Sequence, residues 1–501
     1  MGFEQKHVYA VLVILLTVLV LALRLLVTYQ VAEPSYTSYF TLTQAESIRE
    51  TGLPRYHDPY SYGGRTYAFN PAYYYLAALA TIVMPETAAV KFLPNLLMVA
   101  LIPLAYLLSL HFTKNRPSSF LAACFAGFSP ALFTTGLNDA SSIALALPLL
   151  AATLYAILRL DERPLTGLVL ITLLALVTPL VWIIVAALAG YLIILAAEKL
   201  KPGPAPFEAL LFTFLLASWY TLITYKEALF RHGVTLLAHS LPQRVSAISF
   251  GDFTTLEVIY AVGVIPLVLG CLALYHASFE QRSRKTFLIA AFGASAIVAG
   301  LARLLPLQTT LILLSLAFVL LSAQGLNVLL LSLRKTRFEA ATAGILFFLL
   351  VGFLLTSLLP SIVAGVYPGS SPTPNEREAM HWLRTQTPEQ SLLMASPKAG
   401  FLLNHEARRA YVADENYLLV NNPDGILADI DEAYMTPRTV AVVERLERYG
   451  VTHVLLGPAE HERYPLLGAV IKDKTCFPIV YQDPKVLILR LNCTLKSGGE
   501  R

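Results

Sequence analysis

Charged residues are scarce in this sequence of 501 residues. Asp, Glu, Lys and Arg together make up 14% of the chain, whereas hydrophobic residues make up 56%. In soluble globular proteins the charged residues approach a quarter of the total. The composition therefore excludes an ordinary soluble protein and predicts a chain that lies largely within a membrane.

Positive charge is not in excess either. The formal net charge is +4 at pH 7, which is small for a chain of this length. Lys and Arg occur in short connections between apolar runs instead of forming one basic stretch. The sequence therefore predicts no nucleic-acid partner.

Motifs for common cofactors are missing as well. The sequence has neither a Walker phosphate-binding loop nor a dinucleotide-binding glycine motif, so nucleotide-driven transport and nucleotide-sugar chemistry on a soluble fold lack a motif. His and Cys do not cluster at spacings that bind zinc. A divalent metal would need at least two carboxylates that converge from separate loops, so a metal stays open and no other cofactor is predicted.

Cysteine is rare, with four residues in the chain. Cys124 and Cys271 lie inside apolar runs and are expected to pack there. Cys476 and Cys493 flank a predicted hairpin near the C-terminus. Either an external disulfide or two buried thiols would fit this pair.

Long apolar runs dominate the chain and predict an α-helical polytopic membrane protein. The run Tyr9 to Val27 lacks a small-residue cleavage site at its end, so we interpret it as a retained first helix. The run Pro71 to Met84 is short for a crossing and favours an interfacial, juxtamembrane helix. In all, about eleven transmembrane helices are predicted. The later candidates lie at 92–112, 119–136, 140–160, 166–178, 180–197, 207–225, 255–275, 286–301, 306–331 and 339–363.

Basic residues in the connections predict the orientation of these helices. Lys114 and Lys285, for example, fall in alternate loops, and such residues concentrate on the cytoplasmic side. This placement puts a long first external loop, residues 30–90, on the outside together with the C-terminal end. The other predicted external segments are 134–141, 226–254 and 302–306.

The C-terminal part of the chain has a different pattern. After a Gly-Ser-Ser-Pro-Thr-Pro linker, continuous apolar runs give way to a globular mixture. We therefore predict a transmembrane domain over residues 1–366 and an extracytoplasmic α/β domain over residues 367–501. Within the second domain we expect helices at 375–387 and 437–449, and strands at 391–396, 410–413, 453–457, 477–481 and 486–491.

The first external loop carries motifs that resemble a known family. They are Gln44–Pro54 (QAESIRETGLP), Asp58–Arg65 (DPYSYGGR) and Asn70-Pro71. This order looks like the first external loop of the GT-C glycosyltransferase superfamily. The resemblance implies an enzyme that moves a sugar from a polyprenyl-phosphate carrier onto an acceptor outside the cytoplasmic membrane. Its implied partners are a lipid-linked sugar donor, a glycan, lipid or protein acceptor, and membrane lipids.

Further motifs extend the resemblance along the chain. Asn138-Asp139, after Phe128–Pro130, resembles the second external loop, where the family has an acidic residue. Arg303–Pro306 resembles the start of a late helix whose outer end faces the lipid phosphate. Residues 382–389 and 409–414 are similar to the external domain of oligosaccharyltransferase catalytic subunits.

The sequence departs from the family at two positions. The family has an Asp, a catalytic carboxylate or metal ligand, where this chain has Thr37. Oligosaccharyltransferases have a WWDYG motif where this chain has Ser396–Gly400, which argues against sequon-directed N-glycosylation. A catalytically silent relative that binds a lipid-linked glycan or scaffolds a glycosylation complex is therefore the alternative interpretation. A transporter is a third, but the sequence has no obvious internal repeat.

The chemistry suggests which residues to examine. Displacement of a lipid phosphate from an anomeric carbon needs a base for the acceptor, and cationic or hydrogen-bonding groups for the phosphate. The candidate catalytic carboxylates are Asp58, Asp139 and Glu33. Asp58 could instead start a turn, and Asp139 could cap a helix.

The candidate substrate-binding residues are cationic or aromatic and lie at predicted outer positions. Arginines there could bind phosphate or could anchor at the interface. Arg24, near the outer end of the first helix, is expected to extend its charge to the interface. The candidates are Arg65, Tyr39, Arg303, His239 and Arg244.

Overall fold

The computed structural model describes residues 2–233, 245, 254–280, 283–336, 339–365, 371–464, 467–468 and 472–495. The predicted binding residues His239 and Arg244 lie outside these ranges, as does the predicted domain boundary after residue 366. The helices before that boundary are α1 Gly2–Thr28, α2 Tyr36–Thr51, α3 Ala72–Val83, α4 Glu86–Val99, α5 Leu101–Thr113, α6 Arg116–Phe128, α7 Pro130–Thr134, α8 Ile143–Ile157, α9 Pro164–Val177, α10 Val181–Ala197, α11 Pro204–His232, α12 Thr255–Val262, α13 Val264–Phe279, α14 Arg284–Leu301, α15 Leu307–Arg334, α16 Thr342–Phe353 and α17 Leu359–Gly365.

Apolar helices long enough to cross a membrane make up most of this part. Six segments of the described residues meet the length and composition that a crossing needs, and a bent pair, α12 with α13, is a seventh candidate. Four apolar helices are shorter: α3, α8, α9 and α10. The chain is therefore a multi-pass membrane protein, and the count of about eleven crossings stays a prediction. The six segments are His7–Thr28, Glu86–Thr113, Pro204–Arg231, Arg284–Leu301, Leu307–Arg334 and Thr342–Val363.

Two predicted spans are broken in the structure. The run 119–136 stops at Phe128 and resumes as α7, because Pro130 lacks the N–H that would continue the helix. The run 255–275 bends by 94° at Gly263, which has a φ of +89°. Glycine adopts this left-handed conformation without steric cost. The predicted span 207–225 ends at a kink, because Tyr225 has a non-helical φ of −111° and ψ of 15°, and α11 continues beyond this kink to His232.

The connections between helices separate into two groups. Ser35 N donates to Asn138 O at 2.9 Å, so the first two predicted external loops meet. Lys285 Nζ lies 3.1 Å from His111 Nε2, so two basic connections meet as well. The 28 residues of α15 rise about 42 Å, enough to separate the two groups across a bilayer. Which group faces the cytoplasm stays a prediction from the charge pattern.

The C-terminal domain is an α/β unit, as predicted. In its sheet the strands are ordered β4-β3-β5-β7-β6; β4, β3 and β5 are parallel, and β7 and β6 pair antiparallel. The strands are β3 Leu392–Met394, β4 Ala410–Tyr411, β5 His453–Leu456, β6 Ile479–Asp483 and β7 Val486–Arg490. The helices are α18 Pro374–Gln386, α19 Pro423–Met435, α20 Thr439–Tyr449 and α21 Pro458–Arg463. All five predicted strands and both predicted helices are present, and α19 and α21 were not predicted.

A disulfide joins Cys476 and Cys493, so of the two predicted alternatives the disulfide is correct and the pair of buried thiols is wrong. It ties the segment before β6 to the segment after β7. Cys124 is buried and free, and Cys271 is exposed and free.

The first external loop extends the sheet of the C-terminal domain. This loop also forms a small hairpin, β1 His57–Asp58 with β2 Arg65–Thr66. Between the two strands, Tyr411 N donates to Tyr60 O at 2.9 Å, and Tyr62 N donates to Tyr411 O at 3.0 Å. These bonds satisfy the free edge of β4, which would otherwise expose unpaired backbone groups. The loop and the domain therefore form one packed unit.

Candidate active site

A cavity of about 370 Å³ lies where the first and second external loops, α15 and the C-terminal domain meet. We call it the carboxylate cavity because Asp139 and Glu415 both line it. These two residues come from sequence positions far apart, and only the packing of the domain onto the loops brings them together. The other lining residues are Ser35, Tyr36, Thr37, Thr134, Leu137, Asn138, Gln308, Gly365 and Lys398.

Asp139 is held by two hydroxyl groups of the first loop. Its Oδ1 accepts a hydrogen bond from Ser35 Oγ at 2.9 Å and another from Thr37 Oγ1. At Thr37, where the loop resemblance implies an Asp in the family, this chain therefore places a hydroxyl against the Asp139 carboxylate. The N-cap residue of α8 is Ser142, so Asp139 is not the cap of that helix.

Arg24 of α1 holds the start of the second external loop in place through hydrogen bonds to backbone carbonyls. This arginine is 2% exposed, and the prediction that it extends to the interface is wrong. Its guanidinium donates to the carbonyls of Phe133 and Thr135, both at 2.6 Å, and to that of Leu132 at 3.2 Å. These carbonyls end α7 without helical partners, and a buried cation satisfies them.

Glu415 and Lys398 enter the cavity from the C-terminal domain. Lys398 follows β3 and Glu415 follows β4, so both lie beyond the carboxyl ends of parallel strands, where α/β domains commonly bind ligands. Lys398 Nζ is 2.8 Å from Glu462 Oε2 and 5.6 Å from the centre of the Tyr36 ring. Sequence reasoning did not select either residue, although the ends of the predicted strands were a usable signal.

The Glu415 side chain is exposed and lines the cavity. Desolvation by the surrounding protein raises the pKa of Glu415, Lys398 lowers it, and the charges of Asp414 and Asp139 raise it further. A carboxyl with a raised pKa takes up a proton more readily near neutral pH, which suits a general base.

Tyr36 connects the cavity to the body of the C-terminal domain. Its hydroxyl donates to Glu376 Oε1 at 2.7 Å, and Glu376 also caps α18 through Thr373. Burial raises the pKa of Tyr36, with the Glu376 charge adding to the effect. The hydroxyl therefore stays protonated and keeps donating. Because Tyr36 adjoins Thr37, this bond fixes the loop side of the cavity.

Asp58 and Arg65 lie elsewhere, in a buried group that we call the tyrosine–carboxylate cluster: Asp58, Arg65, Tyr67, Tyr411 and Asp414. The hydroxyls of Tyr67 and Tyr411 each lie 2.8–3.0 Å from both carboxylates. Arg65 Nη1 pairs with Asp414 Oδ1 at 3.0 Å. Both aspartates are 0% exposed. The cluster therefore joins the first loop to the domain and has no contact with solvent through its carboxylates.

Asp58 also forms the turn that was the alternative to catalysis. Its Oδ1 accepts from Tyr60 N at 3.1 Å, two residues along the chain. The cluster ends at Asp414, whose neighbour is Glu415. Its geometry thus helps to set where Glu415 enters the cavity.

Glu33 and Tyr39 form a third group, also outside the cavity lining. Tyr39 OH donates to Glu33 Oε2 at 3.3 Å, and Arg377 Nη1 lies 3.6 Å from Glu33 Oε1. Arg377 also pairs with Glu406 at 3.2 Å. Tyr39 is 0% exposed and Glu33 is 8% exposed. These contacts join the first loop to α18, and the structure does not bring them together with Asp139.

Arg303 lies beside a second cavity, an apolar groove of about 410 Å³. Arg303 is exposed and has a φ of +55°. The next three residues line the groove, and Tyr225 OH donates to Asn70 Oδ1 at 3.2 Å in its wall. The groove is lined by Phe69, Asn70, Tyr74, Ser142, Ile143, Val177, Thr178, Pro179, Leu180, Tyr225, Leu304, Leu305, Pro306 and Thr309.

The groove and the carboxylate cavity share their two supporting segments. Asn138 and Asp139 face the cavity while Ser142 and Ile143 face the groove. In α15, Gln308 faces the cavity and the adjoining Thr309 faces the groove. A ligand that fills the groove therefore ends close to Asp139.

A metal cage made only of protein ligands is not present in the described part of the chain, where His, Cys, Asp and Glu do not form groups of three able to hold an ion. Asp139 and Glu415 supply oxygen ligands of the kind that Mg²⁺ and Ca²⁺ prefer. The set fits an ion held by two carboxylates together with a substrate, as Mg²⁺ often is.

No family model matches the sequence, and no curated protein matches it by sequence. Solved structures do resemble the fold. The archaeal oligosaccharyltransferase AglB from Archaeoglobus fulgidus, in complex with an inhibitory peptide and a dolichol-phosphate, matches with a TM-score of 0.70 and 13% identity over 90% of this chain and 69% of that one. The same enzyme in a complex with Zn and sulfate matches with a TM-score of 0.61 and 16% identity over 87% of this chain and 67% of that one.

A second enzyme is similar over almost its entire length. ArnT from Cupriavidus metallidurans, bound to undecaprenyl phosphate, matches with a TM-score of 0.56 and 10% identity over 95% of this chain and 97% of that one. At such low identity these likenesses establish the fold alone. The resemblance to the GT-C fold that the loop motifs indicated is thereby confirmed.

Proposed function

We propose that this chain, which has the fold of the GT-C membrane glycosyltransferases, moves a sugar from a polyprenyl-phosphate carrier to an acceptor on the external face. The observation that carries the proposal is the meeting of Asp139 and Glu415 in one cavity beside an apolar groove of about 410 Å³. Both solved relatives were bound to a polyprenyl phosphate, which supports the carrier class.

The groove suits the carrier lipid. Its walls are mainly apolar, and burial of isoprenoid carbons there is favourable by about 0.8 kcal/mol per CH₂ group. Arg303 lies at its end, where a guanidinium can form two hydrogen bonds to a phosphate. The linked sugar would then extend past Ser142 and Ile143 toward Asp139.

The two carboxylates have different roles in this proposal. Glu415 takes the proton from the acceptor as the acceptor attacks the anomeric carbon. The bond from that carbon to the phosphate oxygen breaks, and its electron pair stays on the phosphate, which Arg303 neutralises. Asp139, oriented by Ser35 and Thr37, stabilises the positive charge that develops on the sugar.

A divalent ion would fit this scheme through Asp139 and Glu415. It would neutralise part of the phosphate charge. The roles given above to Glu415, Asp139 and Arg303 do not depend on an ion. Metal dependence is tested by measuring activity with and without a chelator.

The first experiment is transfer of labelled sugar from a panel of polyprenyl-phosphate sugars by purified protein. Asp139→Asn and Glu415→Gln should each lower kcat by about 10²–10⁴. Glu50→Gln, an exposed carboxylate on the same loop, is the matched control and should keep the wild-type rate. Wild-type activity in both cavity variants would contradict the proposal.

The silent-relative alternative is favoured by Thr37. In place of the family's Asp, this chain has a hydroxyl that donates a hydrogen bond to Asp139 Oδ1. If the protein binds polyprenyl phosphates but transfers no sugar from the whole panel, this alternative replaces the enzyme.

The external position of the C-terminal domain is also part of the proposal, supported by the basic residues at the opposite group of connections. A membrane-impermeant maleimide applied to intact cells should label Glu50→Cys, in the loop that packs on this domain. Labelling only after the membrane is permeabilised would mean that this loop and the C-terminal domain face the cytoplasm, opposite to the proposed orientation.

A further inference from the structure

A third cavity adjoins the carboxylate cavity. We call it the lipid recess; it has a volume of about 200 Å³. Thr134 and Gln308 line both the recess and the carboxylate cavity, so the two lie side by side. The remaining lining residues are Pro130, Ala131, Tyr260, Ala261, Leu311, Ile312 and Ser361.

The broken helix α12–α13 creates this recess. At Gly263 the pair bends by 94°, so α12 turns away from the direction of α13. The carbonyl of Val262, freed by the break, accepts from Ser129 Oγ at 3.2 Å. Non-helical backbone at membrane depth is tolerated where it is buried in protein or lines a cavity, and here it does both.

A side chain at position 263 would disturb the break. A Cβ there would lie 3.0 Å from Ser357 Oγ and 3.6 Å from the Phe353 ring, and the positive φ would strain it. The bend is therefore built into the packing of Gly263 against Phe353, at the end of α16, and against Ser357 beyond it.

The recess and the donor groove use different faces of α15. Gln308, Leu311 and Ile312 are spaced at i, i+3 and i+4 and share one helix face, which is the recess side. Thr309 is rotated away from them and lines the donor groove. Two hydrophobic ligands therefore have separate sites, each next to the carboxylate cavity that Asp139 lines.

The polarity of this path changes in one direction. Carboxylates and the amide of Gln308 come first, followed by the aliphatic side chains of Leu311 and Ile312. On the far side, Tyr260 is 44% exposed and the neighbouring Leu256 is 76% exposed, as expected of residues that face lipid. Such a path fits an amphiphile whose polar head lies in the carboxylate cavity and whose hydrocarbon chain leaves toward the membrane.

We propose that the acceptor is a membrane lipid, with its hydrocarbon chain in the lipid recess and its nucleophilic headgroup beside Glu415. This inference rests on the proposed transfer activity and narrows its acceptor to one class. A water-soluble acceptor has no use for the recess, and a peptide would not need an apolar path that begins among carboxylates.

The direct test is crosslinking, which does not depend on activity. The probe is phosphatidylglycerol with a diazirine in one acyl chain, in phosphatidylglycerol vesicles that contain the full-length protein. After irradiation, labelled peptides are identified by mass spectrometry. We expect label on Tyr260 to Ala261 and on Leu311 to Ile312.

Two matched variants make the result specific. Ala261→Phe fills the recess and should reduce labelling there at least tenfold. Leu256→Phe adds an aromatic ring to the same helix, outside the recess, and should leave that labelling unchanged. Equal labelling in wild type and Ala261→Phe would overturn the proposal, because the label would then come from bulk lipid.

Competition separates the acceptor from the donor. Excess polyprenyl phosphate should displace probe near Leu304 and Leu305, in the donor groove, and leave the recess labelled. Loss of recess labelling under that competition would assign the recess to the carrier and overturn the proposal.

Kinetics then link the site to the reaction. With a lipid acceptor, Ala261→Phe should raise KM about tenfold and leave kcat unchanged, since it removes binding that is equal in the ground and transition states. Faster transfer to a water-soluble acceptor than to lipid would overturn the proposal. Recess labelling in a protein that transfers no sugar at all would instead overturn the proposed function and leave the lipid site in place.

Discussion

Exchange of Asp58 for Asn should damage stability far more than chemistry, whereas exchange of Asp139 for Asn should do the reverse. Both residues are external carboxylates that sequence reasoning selected for catalysis. The structure places Asp58 in the tyrosine–carboxylate cluster, at 0% exposure, and Asp139 in the carboxylate cavity. One substitution at each site therefore tests the assignment.

The cost at Asp58 follows from its hydrogen bonds. Its Oδ2 accepts from Tyr67 OH at 3.0 Å, Tyr411 OH at 2.8 Å and Asn404 Nδ2 at 2.8 Å. An Asn that keeps the bond to Tyr60 N directs an NH₂ group at these donors. Each hydrogen bond to a charged group contributes about 1.5–3 kcal/mol, but both tyrosines can still donate to Asp414. We expect a net loss of about 2–4 kcal/mol.

This loss is large enough to measure. For a chain of 501 residues it should lower the Tm of the purified protein in detergent by on the order of 2–4 °C, measured by intrinsic fluorescence. Asp139 is half-buried, and an Asn Oδ1 there can still accept from Ser35 and Thr37. Asp139→Asn should therefore change stability by no more than about 0.5 kcal/mol.

Transfer activity is measured on the same preparations. Asp58→Asn should keep a kcat within about tenfold of wild type at a temperature well below its Tm, while Asp139→Asn loses about 10²–10⁴. Glu50→Gln should match wild type in both assays. The reasoning is refuted if Asp58→Asn keeps the wild-type Tm and loses as much kcat as Asp139→Asn, because Asp58 would then take part in the reaction.

Four further predictions concern other parts of the molecule. In wild type, kcat/KM should rise with pH through a pKa above the usual Glu range, because desolvation by the surrounding protein raises the pKa of Glu415; Glu415→Gln should abolish this limb, and an unchanged profile would remove Glu415 as the base. Burial lowers the pKa of His405 to about 3 from 6.5, so the folded protein binds fewer protons than the unfolded chain between these values, and stability is lost as pH falls below 6.5. At pH 5 the loss in the free energy of unfolding is about 2 kcal/mol. His405→Asn should therefore show a smaller drop in Tm between pH 7 and pH 5 than wild type. An equal drop would contradict the assignment of this acid-dependent loss to His405. Cys493→Ser should destabilise the end of the C-terminal domain by about 2–3 kcal/mol, because the disulfide closes a 17-residue separation, and reductant should reproduce the effect in wild type but add nothing in the variant. Finally, if a divalent ion bridges substrate to the cavity, EDTA should abolish transfer and Mg²⁺ should restore it, whereas full activity in EDTA would mean that Arg303 neutralises the phosphate without an ion.

Local features of this protein were predictable because they depend on neighbouring residues. Apolar runs of sufficient length predict membrane helices from composition alone, since lipid requires every backbone group to be satisfied within the helix. Alternating short runs predicted the five strands of the C-terminal domain. The spacing of Cys476 and Cys493 around a hairpin allowed the disulfide that the structure contains. The loop motifs from Gln44 onward pointed to the fold.

Breaks within helices were harder to predict. The bend at Gly263 and the interruption at Ser129 lie inside apolar runs that look continuous. Glycine and proline are common in membrane helices, where neighbours can satisfy the freed backbone groups. Whether a helix bends there depends on a partner for the freed carbonyl. Here the partner is Ser129 Oγ, which reaches Val262 O only after the helices have packed.

The candidate site depended on tertiary structure in the same way. Asp139 was selected from sequence, but its partners Ser35 and Thr37 lie about a hundred residues earlier in the chain. Glu415 was not selected: it follows the strand predicted at 410–413, but the sequence does not show that this strand end faces Asp139.

Asp58 shows the opposite case. Its place in a conspicuous loop motif suggested catalysis, while its actual partners, Tyr411 and Asn404, lie about 350 residues away. Sequence by itself determined the membrane helices, the strands and the class of fold, because hydrophobic period and length act locally. Only the tertiary structure decided which carboxylate is buried in a structural cluster and which lines a cavity, because burial and charge pairing depend on segments that the chain brings together from a distance.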